Sequence, residues 1–393
     1  MPLAGLMVLA LAGPVVAQSP APVPALAPAP AASPAPSPTS APAVAPAPSP
    51  ALAPAKPSAS ATAPAPATIV LPSPAQAAAL CRDDAANPNQ RIAACGLIIE
   101  VYKGTPESLA IAYASRCAAY GADGQYTPAG ADCDQAIKLD PANADAFATR
   151  CALNDDQGQY DAALADCNQS VKLDPNYATA FFNRGLVYDN LQQYDKSAAD
   201  YGQAIALYPG FAKAYYHRGD AYIAAGRFDD AIPDLTQAIK LIPNYADAYI
   251  DRGNAYDGKG KRALAIADYG QALALDPDDP ATLNNRCFDR AVLGQLQPAL
   301  QDCNQSLKLR PGDDNALDSR GFVYLKLKQA AAAIADYDAA LAVNPERVSS
   351  LYGRGLAKRL KNDKAGGDAD IASAKQLDPG IDKIFAAWGV KGG

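Results

Sequence analysis

Eight cysteines, a single histidine and two recurrent series, one of arginines and one of aspartates, are the side chains of this 393-residue sequence best equipped for chemistry. Cysteine with histidine can ligate zinc or serve as nucleophile and base, and arginine facing aspartate can form a two-toothed ion pair. The spacing sorts these options. A zinc site asks for Cys-x-x-Cys clusters or histidine partners, and neither occurs, so no metal site is expected. His217 has no second histidine to complete a triad, and it is expected to pack or to face solvent rather than act as a base. The acidic pairs Asp155-Asp156 and Asp313-Asp314 are expected at helix starts or turns, where an acid suits the helix N-terminal dipole. Residues 258–262, Gly-Lys-Gly-Lys-Arg, are too short for a phosphate loop and fall at a turn. Enzyme, cofactor and small-molecule readings therefore find no constellation to rest on.

The elements that position these residues come from an internal repeat. Pro141, Pro175, Pro209, Pro243, Pro277, Pro311, Pro345 and Pro379 recur every 34 residues, a period that marks a solenoid of supersecondary units. Within a unit such as residues 244–277, apolar side chains recur at helical spacing (Tyr249, Ile250, Gly253, Tyr256, then Leu264, Ala265, Ala267, Tyr269). Gly258 or Gly260 interrupts that pattern, and the closing proline stops the second helix because it lacks the backbone donor. Each unit is thus a helical hairpin, and stacking, rather than any one hairpin, buries the apolar faces.

The arginines and aspartates obey the same period. Arg116, Arg150, Arg184, Arg218, Arg252, Arg286, Arg320 and Arg354 are each followed sixteen residues on by Asp132, Asp166, Asp200, Asp234, Asp268, Asp302, Asp336 and Asp370. A bidentate pair repeated up the stack is expected, and a contact made identically by every repeat frames the fold rather than selecting a partner.

The residue after the arginine is Gly in five copies (Gly185, Gly219, Gly253, Gly321, Gly355), facing Tyr201, Leu235, Tyr269, Tyr337 and Ile371 sixteen places on. In the other three copies both members change together, to Cys117 with Cys133, Cys151 with Cys167, and Cys287 with Cys303. A disulfide between the two helices of one hairpin accounts for this joint replacement. Buried free thiols remain an alternative, as does a Cys133 to Cys151 bridge between the first two units; Cys287 and Cys303 have no cysteine in adjacent repeats. Cys81 and Cys95 would form a fourth bridge. Closing a loop of this size contributes about 3 kcal/mol in the chain-entropy model. An even cysteine count behind an export signal fits an oxidising compartment.

Residues 1–17 carry an apolar run ending Val15-Val16-Ala17, the pattern of a signal peptide cleaved after Ala17 and too short for a permanent span. Residues 18–74 are Pro, Ala and Ser with almost no charge, and are expected to be a disordered linker of extended, polyproline-like backbone. Residues 75–393 are expected to be the solenoid. An irregular opening pair around a turn at Ala86-Asn87-Pro88 would cap one end, and Ile381, Ile384, Phe385 and Trp388 on one stripe would cap the other. Net charge is −7 with the signs interspersed, so there is no basic face for nucleic acid.

Tyr249, Gly253 and Tyr256, followed by Ala265, Tyr269, Ala272 and Pro277, resemble the tetratricopeptide repeat, except that Arg stands before the Gly where that family usually has Leu. The resemblance implies an all-α fold, a right-handed α-solenoid of about eight hairpins whose first helices line the concave face. It also implies which side chains would meet a protein or peptide there: Phe182 and Leu186, Tyr216 and Asp220, Ile250 and Asn254, Asn284 and Phe288, Asp318 and Phe322, Tyr352 and Leu356. These vary between repeats, as a selective surface requires. The expected protein is a periplasmic or secreted interaction scaffold without catalytic activity. The alternative is a structural tether of the cell envelope held by an uncleaved N-terminal segment.

Overall fold

A computed structural model describes residues 72–83 and 85–390. The signal expected at residues 1–17 and residues 18–71 of the expected linker lie outside the described residues, whereas the end of that linker is corrected: Ser73 caps α1 and Pro74 is its first residue. Helix α1 (Pro74–Cys81) starts at the Ser73 capping box, and α2 (Pro88–Gly96) runs on through a π-helical turn (Leu97–Tyr102) that ends where Lys103 takes a left-handed backbone. This is the irregular opening pair, joined by the Cys81–Cys95 disulfide.

Eight hairpins follow. Repeats 1 to 4 are α3 (Pro106–Ala122) with α4 (Tyr126–Leu139), α5 (Ala144–Asp156) with α6 (Tyr160–Leu173), α7 (Ala178–Asn190) with α8 (Tyr194–Leu207), and α9 (Ala212–Ala224) with α10 (Phe228–Leu241). Repeats 5 to 8 are α11 (Ala246–Gly258) with α12 (Arg262–Leu275), α13 (Pro280–Val292) with α14 (Leu296–Leu309), α15 (Asp314–Lys326) with α16 (Ala330–Val343), and α17 (Val348–Leu360) with α18 (Lys364–Leu377). Helix α19 (Ile381–Ala387) closes the chain. Among the described residues there is no strand, and no helix is long and apolar enough to cross a membrane.

The hairpin turn has a left-handed residue at one fixed position, where Gly124, Gly158, Gly226, Gly260 and Gly294 have φ between 68° and 80°. Gly258, expected as a possible breaker, is instead the last residue of α11, where a Cβ would stand 2.7 Å from the Phe228 ring. Small buried residues let the helices approach: Ala265 and Ala272 are 0% and 2% exposed. Leu264 lies off this stripe and is exposed, because it is one residue out of phase with the buried pair Ala265 and Tyr269.

All eight ladder pairs form. Each Arg Nε and Nη2 donates to the two carboxylate oxygens of its Asp, for example Arg252 to Asp268 at 2.7 and 2.7 Å, and the aspartates are all buried. The third nitrogen does what the sequence reading missed. Nη1 crosses to the preceding repeat's second helix, from Arg150 to Asp134, Arg184 to Asn168, Arg252 to Thr236, Arg320 to Asn304 and Arg354 to Asp338, at 2.7 to 3.0 Å. Arg218 and Arg286 face Gly202 and Gly270 there and have no such rung. One guanidinium thus ties three helices, with its plane near an aromatic ring one turn back, as in Arg184 against Phe181 at 5.5 Å.

Three disulfides lie within hairpins, Cys117–Cys133, Cys151–Cys167 and Cys287–Cys303, with Cα separations of 5.3 to 5.5 Å. In the other copies the glycine is obligatory for a different reason: a Cβ on Gly253 would lie 2.6 Å from the Tyr269 ring, and one on Gly185 2.6 Å from Tyr201. The same helix gap is filled either by a large side chain on Gly, a Tyr ring in three copies and Leu235 or Ile371 in two, or by a covalent bridge.

Candidate functional site: the face of the first helices

First helices of successive repeats touch one another (α3 with α5, α5 with α7, and so on to α17), whereas second helices meet mainly their own partner and the next first helix. The first helices therefore form the inner, concave wall, and the side chains on their free face compose the candidate site. That face is divided into two parts.

Over repeats 6 to 8 it is filled by α19. Phe385, 1% exposed, packs against Tyr352 and Phe322 with ring centroids 4.8 and 5.8 Å apart, and Trp388 lies edge-on to Phe288 at 4.9 Å. The Lys326 ammonium donates to the carbonyls of Trp388 and Val292 at 2.9 and 3.1 Å, holding the end of α19 to the wall. Phe322, Tyr352 and Leu356 are buried in this cluster, and Phe288 is partly covered. The expectation that these four present themselves to a partner is corrected accordingly: the chain's own C-terminal helix occupies their face. The stripe expected for α19 is also corrected at Ile384, which is 38% exposed; Ile381, Phe385 and Trp388, at i, i+4 and i+7, make the contact.

Over repeats 3 to 5 the wall is open. Tyr216 and Ile250 are half-buried and Asp220 is exposed. Leu186 is partly buried beside Phe182, which the structure takes out of the expected set: it is 9% exposed, within 4.8 Å of Phe211 and 5.6 Å of Tyr201. Asn254 is engaged by its neighbours, accepting from the Tyr269 hydroxyl at 2.9 Å and from Asn285 Nδ2 at 3.3 Å. Asp318 is likewise committed, accepting from the hydroxyls of Ser349 and Ser350 at 2.9 and 2.5 Å. Asn284 is partly buried at the junction between the two parts.

His217 is packed, edge-on to Phe182 at 5.4 Å and to Tyr216 at 5.0 Å, and burial, aided by Lys213, lowers its pKa to about 4. It stays neutral at pH 7. The carboxylates behave oppositely. Asp189, which accepts from the Tyr201 hydroxyl, is raised by burial to about 6, and Asp251 by burial and then by Asp220 to about 7; Asp220 itself is raised by burial. Although solvent reaches Asp220, the surrounding concave wall thins its hydration. The sequence reading singled out Asp220 but missed Asp189 and Asp251, whose meeting depends on three different repeats coming together.

The acidic pairs sit as follows. Asp313 caps α15, accepting from the Ala316 amide at 3.0 Å, as expected for a helix start. Asp155 and Asp156 instead end α5, where the dipole disfavours acids; Asn190 donates to Asp155 at 3.0 Å in partial compensation. Residues 259–261 form the expected turn, between Gly258 at the end of α11 and Arg262 at the start of α12. Among the described residues no cluster of His, Cys, Asp and Glu side chains is arranged to hold a metal.

Tetratricopeptide-repeat profiles match residues 246–279, 178–211 and 320–380, and a TPR-repeat profile matches 156–192 and 219–260. No curated protein sequence matches the chain. Among solved structures, that of pilF from Pseudomonas aeruginosa is 16% identical and superposes with a TM-score of 0.50, covering 54% of this chain and 97% of the other. A tetratricopeptide repeat protein from Parabacteroides merdae is 18% identical with a TM-score of 0.45 (67% and 100% covered), and YrrB, described as a TPR protein with an unusual peptide-binding site, 20% identical with 0.44 (48% and 97%). At these identities the likeness is one of fold. With eight hairpins in 34-residue register and the matches falling on them, the chain belongs to the tetratricopeptide-repeat family.

Proposed function

We propose that this protein is a non-catalytic interaction scaffold that holds a protein or peptide segment against the open first-helix face of repeats 3 to 5. The observation that carries the reading is the seating of α19. In it a helical segment of the same molecule lies on this wall by its apolar stripe, with Phe385 and Trp388 set among Phe288, Phe322 and Tyr352, which supports the reading. Helix-in-groove binding with spaced anchors follows the same physics. On the open part, Tyr216 and Ile250 offer apolar surface, while Asp189, Asp220 and Asp251 bring carboxylates together with no ion pair to a cation among the described residues. A partner segment with an apolar anchor flanked by Lys or Arg complements that wall, and nucleic acid does not.

Four disulfides fit an oxidising, non-cytoplasmic compartment. The reading places the scaffold in the cell envelope, periplasmic or secreted. Affinity capture from an envelope extract with the full chain, under non-reducing conditions, tests it. Tyr216→Ala with Ile250→Ala is expected to lose captured species that Lys240→Ala, on the exposed face of a second helix, retains. Identical capture by both variants would remove the open wall from the account.

A further inference from the structure

Beside the turns that follow α15 and α17 lies an open cleft of about 970 Å³, within the size range of small-ligand sites. Leu325 and Leu356, both buried, form its floor with Leu360 and Val390, and Leu360 remains 52% exposed. Four cationic side chains border it: Lys326, Lys328, Arg359 and Lys364. Two of them are accounted for. Lys326 holds carbonyls of Val292 and Trp388, and Arg359 pairs with Asp368 through Nε at 2.7 Å; both stand in the last turn of a helix, where a cation suits the dipole.

Lys328 and Lys364 are not explained in that way. Both are exposed and neither is ion-paired among the described residues. Lys364 is the first residue of α18, the end of a helix at which a cation is disfavoured. Lys328 occupies the left-handed turn position, with φ of 59°, that five other repeats give to glycine, and Asn362, also lining the cleft, does so in the next repeat with φ of 66°. Only Gln192 is a comparable exception among the eight turns. Turn geometry asks for glycine at these places and helix electrostatics asks for an acid, so a lysine in each needs another reason.

We propose that this cleft binds a small monoanionic amphiphile, a free long-chain carboxylate, with its head between Lys328 and Lys364 and its hydrocarbon along Leu360, Leu356, Leu325 and Val390. Two unpaired ammonium groups above an apolar floor suit a single charged head on an apolar body. The site lies apart from the open wall of repeats 3 to 5 and does not depend on it.

Titration calorimetry of the full chain with dodecanoate, below its micelle threshold and at low salt, tests the proposal. One saturable site is expected. Lys328→Glu with Lys364→Glu should weaken it by about tenfold or more, and Leu360→Asp, on the floor, by a similar factor. Leu293→Asp, replacing a leucine that is 47% exposed elsewhere, should leave it unchanged, and dodecanol should bind more weakly than dodecanoate. All the replaced side chains are exposed, and unchanged circular dichroism confirms the fold. The proposal is overturned by absence of saturable binding, by unaltered affinity in both cleft variants, or by equal binding of the neutral alcohol. It is equally overturned if the two lysines support sedimentation with phosphatidylglycerol vesicles while dodecanoate does not bind, which would assign them to a membrane surface.

Discussion

Two residues past the ladder arginine, repeats 6 to 8 have Phe288, Phe322 and Leu356, whereas repeats 3 to 5 have Leu186, Asp220 and Asn254. In the first group α19 covers the wall; in the second the wall faces solvent. The frame is the same in both, since the Arg–Asp pairs close every hairpin. What differs is whether the variable positions are apolar enough to recruit a segment of the same chain. Burying an aromatic side chain is worth a few kcal/mol, sufficient to dock a seven-residue helix that would not persist alone. Polar groups at two of the matching places, Asp220 and Asn254, withhold that gain and leave the wall free.

The difference can be broken most strongly at Phe385. Phe385→Ala removes the centre of the filled half and should destabilise it by about 3–4 kcal/mol, seen as faster hydrogen exchange across α17 to α19 with repeats 1 to 4 unchanged. Removal of one ladder carboxylate should act alike in either half. Asp234→Ala and Asp336→Ala, each leaving a largely buried guanidinium unpaired, should each cost about 3 kcal/mol in denaturant unfolding. A large disparity between them would mean that the frame, too, differs.

Acidity distinguishes the open half. Asp251 is raised to about 7 in the fold, so between the ordinary carboxylate range and pH 7 the native state binds more protons than the unfolded one. By linkage its ionisation lowers stability as pH rises through that window. His217, lowered to about 4, acts in the opposite sense between about 4 and 6.5, where the unfolded state binds the extra proton. Comparing Asp251→Asn with the parent isolates the first effect: the variant should be more stable at pH 8 by about 1–3 kcal/mol, and no more stable at pH 4. The smallest expected change is at a missing rung. Gly202→Asp places a carboxylate where a Cβ would stand 3.4 Å from Arg218 Nη1, and should stabilise the junction of repeats 3 and 4 by about 0.5–1 kcal/mol, measured by thermal melting.

The frame was legible in the sequence because each of its parts is local and repeated. Arg252 and Asp268 are sixteen residues apart in one hairpin, and seven copies confirm the relation. The cysteine pairs could be read for the same reason, through the Gly and large-residue pairs that they replace. The third donor of each arginine had a signal that went unused: the residue two places after each ladder Asp is Asp134, Asn168, Thr236, Asn304 or Asp338 where a rung forms, and Gly202 or Gly270 where none does. The division of the inner wall was not legible. The stripe of α19 showed an apolar face in need of a partner, but nothing local says that Trp388 meets Phe288 one hundred residues earlier. The grouping of Asp189, Asp220 and Asp251 likewise arises only when three repeats stack.

The central claim, that the open first-helix wall is where a partner lies, is tested most directly by site-specific photocrosslinking in cells. A benzophenone side chain at Tyr216 or Ile250 is expected to yield a discrete adduct that the same group at Lys240, on a second helix, does not. Adducts from Lys240 with none from Tyr216 or Ile250 would contradict the account and move the binding surface to the outer helices.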